Sequence, residues 1–311
     1  VKVSILIVSY NSEPTLGDCL LRALATSQPQ DEIVVVDNAS TDASADVVRA
    51  VARDCPRVSL AANGTNRFYA KAANQAASLA QGEAFLFLNP DARLYPGWRE
   101  RFESLVLDPP TRRPVGAVGP VSDGSMGRQF VGLQLPPGPR PPDADRAAGA
   151  VARFNAGTYE SVKLLVGFCL FVPRGVWESA PAAYGSLGPP RAPHVHQTEN
   201  QSNLTEHQPN KTEQNRTLPN QTEQAPFGFH PDLELGCDDL EYSWRLRRNG
   251  FELLLARDVF VSHACRVSFS RADFETAKKV AEADAAMHRI LDEAHGDSAD
   301  RVRLFGIDPF P

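Results

Sequence analysis

Short runs of branched apolar residues, each cut off by a polar cluster, recur along the N-terminal third of the chain. Val3–Ser9 (VSILIVS) is apolar almost throughout, which reads as a strand buried on both faces, and Tyr10-Asn11-Ser12 ends it. Leu16, Cys19, Leu20, Ala23 and Leu24 then recur at helical spacing and predict a helix over 15–25. Residues 33–36 form a second apolar run that stops at Asp37. The same reading continues with a helix at 43–52, a strand at 58–61, an Ala-rich helix at 70–80 and a strand at Ala84–Leu88. Strands alternating with helices predict an α/β fold with a mainly parallel sheet, whose ligand crevice lies beyond the strands' C-terminal ends. Three polar clusters fall there: Ser9-Tyr10-Asn11, Asp37-Asn38 and Asn89-Pro90-Asp91.

The pattern loosens afterwards. Residues 135–142 (LPPGPRPP) read as an extended loop, because proline fixes φ and removes amide donors. The apolar run at 164–172 predicts a strand. Residues 194–224 are Asn, Gln, Thr and Glu with few apolar positions, a composition that cannot offset its ordering entropy by burial and predicts a mobile insertion. Its Asn-x-Ser/Thr triplets are what an Asn- and Thr-rich tract produces by chance. Asp238-Asp239-Leu240-Glu241 then opens a predicted helix that Asn249-Gly250 stops. Strands are expected at 251–255 and 259–262, with His263 directly after, and an amphipathic helix at 272–291.

Composition narrows the class. The 311 residues are 42% hydrophobic, enough for a sizeable core. A net charge of -6 with scattered Lys and Arg argues against a nucleic-acid binder. The five cysteines show no C-x-x-C pair or zinc-like spacing and read as buried thiols in a reducing compartment. No stretch approaches the roughly 20 apolar residues of a membrane span, and the N-terminus lacks a signal-peptide layout. The expected location is cytoplasmic, with at most peripheral contact at the inner face of a membrane. A chain starting at Val1 is compatible with a trimmed leader.

The clusters suggest chemistry. Pro90 disfavours helical geometry at Asn89 and holds Asp91 at the crevice mouth, where one carboxylate and a substrate diphosphate can hold Mg2+ or Mn2+; an ordinary turn would use the same residues. Of Asp238 and Asp239, one is accounted for by helix capping, which leaves the other to accept a proton from an attacking hydroxyl. Tyr242 and Trp244 read as core or as a sugar-stacking surface. His263 reads as a structural hydrogen-bonding residue or as a ligand for a borderline metal.

Five stretches in order, ILIVSYN at 5–11, IVVVDNASTD at 33–42, NRFYAKAAN at 66–74, LFLNPDA at 86–92 and DDLEYSWRLRRNG at 238–250, resemble the family 2 glycosyltransferases of GT-A fold. The resemblance implies a single GT-A domain over 1–311, with a nucleotide-sugar half at 1–92 and an acceptor and catalytic half at 93–270. It implies an inverting transfer from a nucleoside-diphosphate sugar, dTDP-rhamnose or a UDP-hexose, to a glycan, lipid-linked or small-molecule acceptor. Ser9, Tyr10, Asn11, Asp37, Asn38, Asn66, Asn74 and Asn89 would frame the donor, with Ser268 on its phosphates. Asp91 and His263 would hold the divalent metal, and Asp239 would be the base beside Asp238. Asn89 stands where the family's D-x-D has its first acid, as in rhamnosyltransferase-like members. Two rivals remain: a nicotinamide or S-adenosylmethionine enzyme, which would want a G-x-G-x-x-G turn where Ser9-Tyr10-Asn11-Ser12 stands, and a non-catalytic nucleotide-sugar or glycan-binding protein.

Overall fold

A computed structural model describes residues 1–179, 228–234, 236–264 and the helical positions 282, 285, 288 and 289. The 194–224 tract, Cys265, Ser268 and most of the predicted 272–291 helix lie outside the described residues.

The N-terminal third alternates as its pattern predicts: β1 (Val3–Ser9), α1 (Glu13–Thr26), β2 (Glu32–Asp37), α2 (Ser44–Asp54), β3 (Val58–Ala62), α3 (Phe68–Leu79) and β4 (Ala84–Leu88). β5 (Ala92–Leu94), α4 (Trp98–Leu107), β6 (Val115–Val121), α5 (Ala144–Phe154), β7 (Tyr159–Val162), β8 (Cys169–Pro173), α6 (Arg174–Ser179), α7 (Asp238–Arg248) and β9 (Glu252–His263) follow. Nine strands form one sheet, ordered β3-β2-β1-β4-β8-β6-β9-β5, with β7 also on β9. β1 pairs parallel with β2 and β4, and β2 with β3. β8 runs antiparallel to both β4 and β6. Parallel strands buried on both faces explain the unbroken apolar runs of β1, β2 and β4. Helices cover both faces, so the core divides in two: Val34, Phe85 and Phe87 face one side, Ile5, Ile33 and Leu86 the other.

Two strand expectations differ from the structure. The run at 164–172 becomes β8 only from Cys169, and its first residues are a loop that enters the crevice. The strands at 251–255 and 259–262 are one strand, β9, whose pairing partner on β6 jumps from Ala256 to Phe260. That irregularity takes up residues 257–259, and the strand runs on to His263 at its tip beside Ala92 of β5. No helix among the described residues is long and apolar enough to cross a membrane.

A charged anchor holds the sheet's far end. Arg99 and Asp31 pair at 3.0 Å with both side chains fully buried, and Asp31 also accepts the amides of Val3 and Gln28. These hydrogen bonds offset part of the desolvation that burying two charges requires.

Candidate functional site

The ends of β1 and β2 bring Ser9 and Asp37 into register. Register partners in a parallel pair point to the same face. Ser9 Oγ and Asp37 Oδ1 are both buried with no hydrogen-bond partner among the described residues, whereas Asp37 Oδ2 accepts the Ser40 amide at 3.1 Å. Two adjacent orphaned polar atoms are costly unless a ligand completes them.

The neighbouring amide side chains are already committed. Asn38 donates to Asn66 Oδ1 at 2.7 Å and to the Phe68 carbonyl, and accepts from the Arg67 amide at 2.9 Å. Asn11 has a positive φ of 49° and accepts from the Thr41 amide at 2.8 Å, which closes the β1 turn onto the β2 turn. Asn11, Asn38 and Asn66 therefore brace the rim with their side chains, and Tyr10 stands on it, exposed. Asn74 gives both ends of its amide to the Phe229 backbone, at 2.8 and 2.9 Å, and ties α3 to the segment before α7.

On the other side of β1, β4 delivers Asn89-Pro90-Asp91 and β9 delivers His263. Asp91 Oδ1 lies 3.2 Å from His263 Nε2, with each side chain 10% exposed. His263 Nδ1 donates to the Gly124 carbonyl at 2.9 Å, which turns Nε2 toward Asp91 and the Asn89 amide. Burial alone would lower the imidazole pKa, but the hydrogen bond and charge of Asp91, helped by Gly124 and Asp123, raise it. A nitrogen and a carboxylate oxygen at this separation fit a hard divalent ion, since right-angled bonds of about 2.1 Å put neighbouring ligands about 3 Å apart. Among the described residues no group of three or more His, Cys, Asp or Glu could hold a metal ion. Such an ion would take its remaining ligands from phosphates and water.

The acids of α7 complete the crevice. Asp238 is buried, and that burial, reinforced by the charge of Asp239, pushes its carboxyl up to about 8. Asp239 is raised by burial too, but amides oppose the rise: Gly167 N–H donates to Oδ2 at 2.8 Å and Leu240 N–H to Oδ1 at 2.7 Å. The two amides moderate that rise without reversing it, and they fix the Asp239 carboxylate in direction. Tyr242 and Trp244 are fully buried core residues. Glu241 pairs with Arg245 at 2.9 Å, and Arg245 also donates to the Gly228 carbonyl.

Two contributors escaped the sequence reading. Gly167-Phe168 links the separate groups: the Gly167 amide holds Asp239, the Phe168 carbonyl accepts the Asn89 amide at 2.8 Å, and the Phe168 ring stacks on His263 at 4.8 Å. A glycine inside an apparent strand marks a close backbone approach, and that was the available signal. Asp123-Gly124 is the second, an Asp-Gly turn signal. Asp123 accepts the His263 amide at 3.0 Å and the Ser262 hydroxyl at 2.9 Å. Any Cβ on Gly124 would sit 1.7 Å from the His263 carbonyl oxygen, so only glycine fits.

Residues 4–139 match glycosyl transferase family 2. The match runs from β1 into the Pro-rich loop, so Asp37 and Asp91 fall inside it and Asp239 and His263 outside. An uncharacterised glycosyltransferase of Haemophilus influenzae is 33% identical over 89 residues, 29% of this chain and 36% of that protein. TuaG of Bacillus subtilis, a glycosyltransferase assigned to teichuronic acid biosynthesis, is 32% identical over 89 residues, 29% of this chain and 35% of its own. The chain thus spans about a third of the length of these curated relatives. The architecture extends further. The S. aureus TarS 1-349 structure in complex with UDP-GlcNAc superposes with a TM-score of 0.57 at 14% identity, covering 98% of this chain and 70% of that one. The mannosyltransferase PcManGT from Pyrobaculum calidifontis, in complex with GDP-Man and Mn2+, gives 0.53 at 18% identity, covering 99% and 81%. At these identities the likeness establishes the fold, which is GT-A.

Proposed function

We propose that this chain is an inverting family 2 glycosyltransferase that moves a sugar from a nucleoside-diphosphate sugar to an acceptor hydroxyl. The observation that carries the reading is the 3.2 Å approach of Asp91 and His263, groups from opposite ends of the chain, beside a carboxylate held by the Gly167 amide. The family match over 4–139 and the donor complexes of the two structural neighbours support it.

In this reading Ser9 and Asp37 receive the nucleoside, their unpartnered oxygens taking hydrogen bonds from base or ribose. Tyr10, Asn11, Asn38, Asn66 and Asn74 shape the cradle, and Ser268 is assigned to the phosphates. Asp91 and His263 would hold Mn2+ or Mg2+, and the ion would supply positive charge to the donor's diphosphate. Asp239 takes the acceptor's proton as its oxygen attacks the anomeric carbon from the face opposite the leaving group, so configuration inverts. Asp238, buried and pushed toward its neutral form, leaves the base role to Asp239. Asn89, turned onto His263 Nε2 at 3.1 Å, orients the imidazole in place of a second acidic ligand. That substitution favours the rhamnosyltransferase-like subgroup, with dTDP-rhamnose or a UDP-hexose as donor.

Thermal stabilisation and nucleoside diphosphate release, measured across UDP-, GDP- and dTDP-sugars with and without Mn2+, test this. One donor should stabilise the protein more strongly with Mn2+ and be consumed with release of its nucleoside diphosphate. Stabilisation with no release under any acceptor would instead favour a binding protein.

A further inference from the structure

α3 starts from a strained residue. Phe68 has a φ of 60°, a left-handed conformation that a bulky side chain rarely adopts. Its backbone is held there from both ends: the amide donates to Asn66 Oδ1 at 2.9 Å and the carbonyl accepts from Asn38 Nδ2 at 3.2 Å. The first turn of α3 is therefore fixed to the turn after β2, at the nucleoside cradle.

The next residue is Tyr69. Its ring packs on Phe229 at 5.9 Å, at the edge of the aromatic cluster that Phe229 forms with Phe87, Trp177 and Tyr242. Two further α3 residues grip the same segment: Asn74 bonds the Phe229 backbone, and Lys71 pairs with Glu234 at 3.3 Å. Tyr69 is half-buried, and burial, reinforced by the Asp238 and Asp239 carboxylates and the Cys169 thiol, holds its phenol well above the usual range. The phenol stays protonated, a hydrogen-bond donor as well as an acceptor. Cys169 opens β8 two residues after Gly167, whose amide fixes Asp239. The surroundings of the phenol are thus the frame of the candidate base. Yet the Tyr69 hydroxyl makes no hydrogen bond among the described residues, so the acids act on it across a separation that no direct bond spans. Packing on Phe229 uses only the ring, and phenylalanine would supply that.

We propose that Tyr69 touches the sugar being transferred: its hydroxyl hydrogen-bonds a hydroxyl of the donor's sugar ring and holds that ring beside Asp239. The inference rests on the glycosyltransferase reading, which supplies the sugar. A donor seated with its nucleoside at Ser9 and Asp37 must present its anomeric carbon to an oxygen activated by Asp239, and Tyr69 stands between those two places.

Tyr69→Phe deletes the hydroxyl and keeps the ring on Phe229, and an unchanged melting temperature without ligand confirms that the fold is kept. The probes are UDP against UDP-glucose and UDP-GlcNAc, GDP against GDP-mannose, and dTDP against dTDP-rhamnose, titrated calorimetrically with Mn2+ into wild type and variant. Where the sugar adds to wild-type affinity, that increment should fall about tenfold in Tyr69→Phe while the bare nucleoside diphosphate binds as before. An increment kept within twofold overturns the proposal. Equal losses for the diphosphate and its sugar also overturn it, since they would mean that Tyr69 only shapes the cradle, and so does a wild type in which no sugar adds affinity. A wild type that binds none of the probes sinks the transferase reading as well, whereas an intact increment in a variant that still releases nucleoside diphosphate sinks the Tyr69 assignment alone.

Discussion

The Gly167 amide donates to Asp239 at 2.8 Å, and a Cβ on Gly167 would stand 3.1 Å from the Asp239 Cβ. That approach is tighter than ordinary contact, so the carboxylate is aimed by a residue that must have no side chain. Gly167→Ala keeps the N–H but forces Asp239 to yield by a few tenths of an ångström. Small misplacements of catalytic groups are expensive, and kcat should fall about tenfold with donor affinity unchanged. Steady-state kinetics beside donor thermal shifts would reveal it; equal changes in both would mean general loosening.

Replacing Asp239 itself isolates its chemistry. Asp239→Asn keeps the shape and an oxygen for one amide but cannot accept a proton. Transfer should drop by about three orders of magnitude while donor binding is nearly kept. Activity within a few fold of wild type would remove Asp239 from the base role.

Asp91 and His263 should act together on metal-dependent donor binding. In Asp91→Ala, the increment that Mn2+ adds to donor affinity should shrink about 10- to 100-fold, with a smaller loss in Phe168→Ala, which frees the imidazole ring. Titrations of donor with and without Mn2+ measure it, and an undiminished increment would show that the ion binds elsewhere.

The orphaned oxygens near the nucleoside cradle give effects of opposite sign. Ser9→Ala deletes a buried hydroxyl with no described partner and should raise stability by about 1 kcal/mol in the absence of ligand. Asp37→Asn should cost about tenfold in donor affinity, because it exchanges a charged acceptor for a neutral one. Chemical denaturation and donor titration would separate the two; a destabilised Ser9→Ala would show that the hydroxyl has a partner.

Asp238 sets a pH dependence of stability. Its carboxyl is raised to about 8 by burial and the Asp239 charge, against about 3.9 in an unfolded chain. Between those values the folded state keeps a proton that the unfolded state has released. The associated stability is full below about pH 4 and is lost as pH rises toward 8, at up to about 1.4 kcal/mol per unit. Asp238→Asn should flatten that slope between pH 5 and 8 and leave the variant the more stable form at the upper end. Parallel denaturation curves for both proteins across the range would contradict the burial.

Much of this was visible in the residues. β1 and β4 begin and end where their apolar runs do, because strands covered on both faces need uninterrupted hydrophobic side chains. Asn89, Asp91 and Asp239 stood out through short ordered motifs, and His263 through its place directly after an apolar run. Periodicity missed β6, whose VGAVGPV reads against a strand until packing explains it: a Cβ on Gly116 would meet Phe251 at 2.8 Å, and one on Gly119 would meet Leu165 at the same distance. Arg257 and Asp258 looked like a break in β9. The chain stays extended there because Arg257 bonds Gln134 and Asp258 receives Arg101 and the Gly157 amide, contacts made by residues over a hundred positions away. Long-range partners of that kind leave no local trace.

The distance along the chain between Asn89 and His263 has a consequence for how the fold is assembled. The pairing of β1 with β2 is closed by neighbouring segments, whereas the meeting of Asn89 with His263 joins residues 174 apart in sequence. Loop closure over such a span is slow and depends on the intervening chain having condensed first. During synthesis the β1–β2 end can therefore form early, while Asn89 and His263 come together only after β9 is laid down. Until then a nascent chain would have the Ser9 and Asp37 ends of its sheet in place without the Asp91–His263 pair.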